Sequence, residues 1–91
     1  MFRTTDKNGF HMRFINGWTV SVQFGPGNYT DEDVRYARIT LDAEQQRFEP
    51  LTAEIAAWDD AGVWHDFGSD TVSGWNTPDE VLRFMNMIAA L

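Results

Sequence analysis

No cysteine occurs among the 91 residues. A disulfide scaffold and thiolate-held metal sites are excluded, and a reducing compartment fits. No apolar run approaches the roughly 20 residues that a bilayer-crossing helix needs, so no membrane partner is expected. The opening MFRTTDKNGF lacks the apolar stretch of a signal peptide. Lys and Arg are missing altogether between Arg47 and Arg83. That interval holds Glu49, Glu54, Asp59, Asp60, Asp66, Asp70, Asp79 and Glu80, and the formal net charge of the chain is −7. A nucleic-acid binder presents a basic patch or stripe, so direct nucleic-acid binding is not expected. A surface of one sign repels phosphate and attracts basic proteins, and it also keeps a small domain dissolved.

Catalytic constellations are missing as well. There is no phosphate-binding loop, zinc signature or calcium loop. Ser21, Ser69 and Ser73 have neither a strained elbow nor a basic partner in sequence. His11 and His65 are the only histidines. His65-Asp66 with Glu54 can be drawn as a metal corner or acid–base pair, but adjacent strand residues point to opposite faces. Asp59 and Asp60 can be drawn as paired carboxylates, but they sit in a DDAG turn, where Asp favours local hydrogen bonds. Neither an enzyme nor a cofactor is expected.

What is present is a hairpin. Phe10, Met12 and Phe14 alternate with His11 and Arg13; Trp18, Val20, Val22 and Phe24 alternate with Thr19, Ser21 and Gln23. Asn16-Gly17 between them predicts a two-residue type I′ turn, with positive φ at both positions. Residues 1–9 read as a mobile polar lead-in. Gly25-Pro26-Gly27-Asn28 stops the strand, as a plain turn rather than an anion-binding nest. Between about 28 and 50 lies a variable insert, in which Thr30 and Asp42 are candidate helix N-caps and RYARITL is also acceptable as an edge strand.

A second hairpin is expected over TAEIAAWD and VWHDF. Ala53, Ile55 and Ala57 form one row, Glu54, Ala56 and Trp58 the other, with a type I turn ending in a positive-φ Gly62. Trp58 and Trp64 are placed to stack across that ladder. A further strand is expected over Asp70–Trp75, and the small Ala56, Ala57 and Gly74 suggest an element packed closely on the sheet. Thr77-Pro78-Asp79-Glu80 has the form of a capping box with Pro at N1. Val81, Phe84, Met85 and Ile88 line one face of the helix it opens, with Leu82 and Ala89 widening the stripe. The fold class that follows is α+β: one domain over 1–91, an antiparallel hairpin-rich sheet of about four to five strands, and a C-terminal α-helix on one face.

Trp58, Trp64 and Trp75 are too large to be buried together in so small a domain, and partly exposed aromatics mark protein-binding surfaces. Glu54, Trp58, Asp59, Asp60, Trp64, Asp66 and Asp70 are therefore the candidate protein-binding residues. The segments NGWTVSVQFGPGNYT, TAEIAAWDDAGVWHDF and DTVSGWNTPDEVLRFM resemble those of small accessory proteins of bacteriophages and prophages. The resemblance covers the hairpins and the helix, not the insert. It implies a protein acting in the host cytoplasm, in the manner of anti-CRISPR or other anti-defence proteins. The expectation is a monomeric inhibitor that occupies a basic surface on a host nucleic-acid-handling protein or nucleoprotein complex. The alternative is a phage structural or assembly protein that forms a homo-oligomer.

Overall fold

The computed structural model describes residues 1–5, 8–24 and 50–91. The expectations for Gly25–Asn28, Thr30, Asp42 and the insert fall outside these residues. Five antiparallel strands, β1 (Phe2–Thr5), β2 (Gly9–Arg13), β3 (Thr19–Gln23), β4 (Ala53–Trp58) and β5 (Ser73–Asn76), form one sheet in chain order. Phe10 pairs with Val22 and Met12 with Val20; Val22 pairs in turn with Ile55 and Val20 with Ala57. Because side chains alternate along a strand, this register gathers the apolar rows on one face. The other face carries Arg3, His11, Arg13, Thr19, Ser21, Gln23, Glu54, Ala56 and Trp58. Both rows expected of each hairpin strand are thus present.

The apolar face is closed by α1 (Pro78–Ala89), which packs on β3, β4 and β5. Val81, Phe84 and Ile88 join Val20, Val22, Ala53, Ile55 and Ala57 in the core, with Trp18, Phe24 and Met85 packed against it. Leu82 and Ala89, expected to widen the buried stripe, stay exposed; the helix face that meets the sheet is the narrower one of Val81, Phe84 and Ile88. Ala57 lies under the helix as expected of a close approach. Ala56 instead faces the opposite side, opposite Ser21.

The two hairpin turns share one design. Gly17 N–H donates to Phe14 O and Phe14 N–H to Trp18 O; Gly62 N–H donates to Asp59 O and Asp59 N–H to Val63 O. Each is a three-residue loop whose last residue is a positive-φ glycine, Gly17 at 91° and Gly62 at 81°. The turn ending in Gly62 has the form read from sequence. The type I′ turn expected at Asn16-Gly17 is not formed, since Asn16 has no positive φ. Its side chain reaches across to the helix instead. Asn16 Nδ2 donates to Ile88 O at 2.9 Å and to Ala89 O at 3.3 Å, adding to the Leu91 N–H that Ile88 O also accepts and tying the turn to the last turn of α1.

Three further expectations are corrected. Part of the lead-in is a strand, β1, held in register by pairs from Phe2–Met12 to Thr5–Gly9. The return strand expected over Val63–Phe67 is reduced to a single bridge, Trp58 to Trp64, and one bond from His65 N–H to Ala57 O. The rest of that edge of β4 is taken by β5, which begins at Ser73 rather than Asp70 and pairs with Ile55 and Ala53. Between these pairs β5 carries an extra residue, and Trp75 takes φ 58°, a conformation that bulky side chains rarely adopt.

The helix begins as its sequence dictates. Glu80 N–H donates to Thr77 Oγ1, and Thr77 N–H to Glu80 Oε1 at 2.9 Å, closing the capping box. These bonds, the backbone one first, hold the Glu80 carboxyl below its usual pKa. Its stabilising contribution is present above the ordinary glutamate range and fades as pH falls through the lowered value. Thr77→Ala is expected to cost about 1 kcal/mol in urea melts at neutral pH, with unchanged m-value. A melt indistinguishable from that of the parent chain would show that the cap does not hold the helix.

Candidate functional site

The second hairpin carries the candidate site. The β4 alternation sends Trp58 to the face opposite the helix, and the three-residue turn returns Trp64 beside it. The two indoles lie 4.8 Å apart between ring centroids, tilted by 35°. The His11 ring meets Trp58 edge-on at 5.0 Å. Trp58 is half-buried by these neighbours, whereas Trp64 is 45% exposed. The result is an indole backed by another ring and presented to solvent, with the exposed Val63 next to it. Trp75, 59% exposed, belongs to the β5 bulge and has no part in this stack.

The carboxylates are placed less uniformly. Asp59 Oδ1 accepts from Ala61 and Val63 N–H, Asp66 Oδ1 from Gly68 N–H, and Asp70 Oδ1 from Thr71 N–H. Each bond shapes a turn and uses one oxygen, leaving the charge in place; none of the three carboxylates has an ion-pair partner among the described residues. Asp60 differs. Both its oxygens are gripped by Arg13 Nη2, at 2.8 and 3.0 Å. Glu54 lies on the same sheet face as Trp58 but four residues away, opposite Gln23, about 13 Å along the strand. The structure therefore brings Trp58, Trp64, Asp59 and Asp60 together at the hairpin tip, sets Asp66 and Asp70 on the following loop, and leaves Glu54 apart.

Sequence reasoning passed over the basic side of this face. Arg3 pairs with His11 across the β1–β2 ladder, and Arg13 with Thr19 across β2–β3. With Met1 and Trp58 these residues line a recess of about 210 Å³. Burial first, and the Arg3 charge second, push the His11 imidazole below its usual pKa. The one available signal was the alternation Phe2-Arg3-Thr4-Thr5, which continues the period of the hairpin.

Among the described residues no group of three or more His, Asp or Glu side chains is placed to hold a metal ion. No helix there is long and apolar enough to cross a membrane. No family model matches the chain, and neither a curated protein nor a solved structure shows significant similarity to it.

Proposed function

We propose that this chain is a small interaction protein that sets the Trp64 hairpin and its surrounding carboxylates against a basic surface of another protein, one that otherwise holds nucleic acid. The observation that carries the reading is a solvent-facing Trp64, fixed by the ring of Trp58 at 4.8 Å, beside the carboxylates of Asp59, Asp66 and Asp70, which have no ion-pair partner among the described residues. An exposed, pre-positioned indole is the side chain most often found as a binding hot spot, and its rigid backing lowers the ordering cost of contact. The carboxylates supply long-range attraction and orientation rather than most of the affinity. The resemblance to phage accessory proteins makes a host cytoplasmic nucleic-acid-handling protein the candidate class, CRISPR–Cas components included. In this reading the protein inhibits by occupying the nucleic-acid surface.

The charges can be removed without removing the turns, because Asn keeps the accepting oxygen. A partner captured from bacterial lysate is assayed for binding kinetics at two salt concentrations. The triple variant Asp59→Asn, Asp66→Asn, Asp70→Asn is expected to associate more slowly and to lose most of its salt dependence. Trp64→Ala is expected to speed dissociation by roughly 30-fold, the effect of a hot spot worth about 2 kcal/mol. Added nucleic acid should displace the protein. Rates insensitive to salt and untouched by the triple variant would reduce the acidic surface to a solubility device. The assembly alternative has its own structural support, an edge strand β1 that exposes Phe2. A sedimentation mass above that of the monomer would favour it.

A further inference from the structure

The recess on the open sheet face does not fit an acidic docking surface, and it is built differently. Only three Lys or Arg side chains occur among the described residues, Arg3, Arg13 and Arg83, and two of them line this one recess. Arg3 faces His11 directly, and Arg13 follows His11 by two positions on the same face of β2. Like charges so placed on adjacent strands repel each other. Asp60 relieves one of them, gripping Arg13 through both carboxylate oxygens. Arg3 has no ion-pair partner among the described residues, in a chain whose net charge is −7. Thr19 brings a hydroxyl to the same space, and Trp58 a flat apolar wall.

We propose that this recess binds the phosphoryl dianion of a small phosphomonoester, bridged between the guanidinium groups of Arg3 and Arg13, with Thr19 hydrogen-bonded to it and the organic part against Trp58. The charge argument selects a dianion. A carboxylate would have to replace Asp60, an equivalent group already tethered beside Arg13, and would gain little. A phosphoryl group has three terminal oxygens, enough to contact both arginines, and its second charge lets it compete with the largely exposed Asp60 carboxylate for the Arg13 fork, after which its two charges match the two arginines. The size argument selects a small ligand. At about 210 Å³ the recess is below the roughly 300–1,000 Å³ of pockets that enclose drug-sized molecules. The site needs no protein partner, so it stands or falls separately from the docking surface.

The test is a nuclear magnetic resonance titration of the full chain with phenyl phosphate, inorganic phosphate and benzoate. Phenyl phosphate is expected to shift the amides of Arg3, His11, Arg13 and Thr19 and the Trp58 indole along one saturable curve. Arg3→Gln breaks no ion pair among the described residues and should weaken binding about tenfold or more, the range for hydrogen bonds to charged groups. Asp60→Asn should strengthen it, because the Arg13 fork is freed; a merely structural Arg13–Asp60 pair would not give that gain. Tighter binding of phenyl phosphate than of inorganic phosphate assigns the Trp58 wall to an organic group, and equal binding assigns the site to free phosphate. No saturable shift at these residues, undiminished binding by Arg3→Gln, or benzoate binding as tightly as phenyl phosphate would each overturn the proposal.

Discussion

Phe84→Ala is expected to cost about 3–5 kcal/mol, the range for removing a buried aromatic ring. Phe84 is 7% exposed and lies between two layers. On one side it belongs to the core of Val20, Val22, Ile55 and Ile88. On the other its ring meets Phe67 at 5.2 Å and His65 at 5.5 Å. Those two residues belong to the segment that leaves the β4 ladder after a single bridge, so ring contacts with the helix replace the missing backbone pairs. Truncation would open a cavity and release the loop together. Small domains have only about 5–15 kcal/mol of total stability, so the variant would lose a large part of its margin. Leu82→Ala, on the exposed side of the same helix, should stay within about 0.5 kcal/mol. Urea melts followed by tryptophan fluorescence read both, and equal losses would refute the buried stripe of Val81, Phe84 and Ile88.

Gly17→Ala is expected to cost about 2–3 kcal/mol, through two separate causes. The backbone at φ 91° excludes a β-carbon at about 1–2 kcal/mol. A methyl there would also sit 2.8 Å from Asp60 Oδ2, which is held by Arg13 and cannot yield without loosening that grip. The pair is largely exposed and so worth up to about 1 kcal/mol. A double-mutant cycle separates the two causes. In an Asp60→Ala background, Gly17→Ala should cost only the backbone share. The same cost in both backgrounds would mean that the two turns do not bear on each other.

These turns show where sequence was informative and where it was not. Period-2 alternation sorted the residues from Phe10 to Arg13, Thr19 to Gln23 and Ala53 to Trp58 into their two rows, because each row is dictated by burial against a single layer. The capping box at Thr77 was legible because both of its bonds join residues three positions apart. Asn16 was misread because Asn-Gly has two explanations. The Asn side chain serves the turn without a positive φ: its Oδ1 accepts from Trp18 N–H two residues on, while its Nδ2 donates to Ile88 O, 72 residues on, a partner no local pattern announces. β1 was missed for a similar reason. An edge strand needs one partner only, and Arg3 and Thr5 look polar until β2 is placed beside them. The Arg3–Arg13 recess disappeared from view with β1, since Arg3 stands on that strand. Of the candidate site, the stacked tryptophans followed from strand period and turn length. The capture of Asp60 by Arg13 spans 47 residues and left no local trace.

The bulge at Trp75 bears on how the sheet ends. Among the described residues the sheet has two outer strands, β1 and β5, and an outer strand is where a further strand can add. On β5 the extra residue and the turned-back tryptophan throw the backbone out of register, so an incoming strand finds no continuous row to extend. Strain of about 1–3 kcal/mol is retained there, and a broken edge is what it secures. At the opposite edge β1 is only four residues long and carries Arg3 near its middle. Both outer strands are thus only four residues long, one broken by a bulge and the other carrying a charge, which limits the length of ladder that a further strand could add on either side.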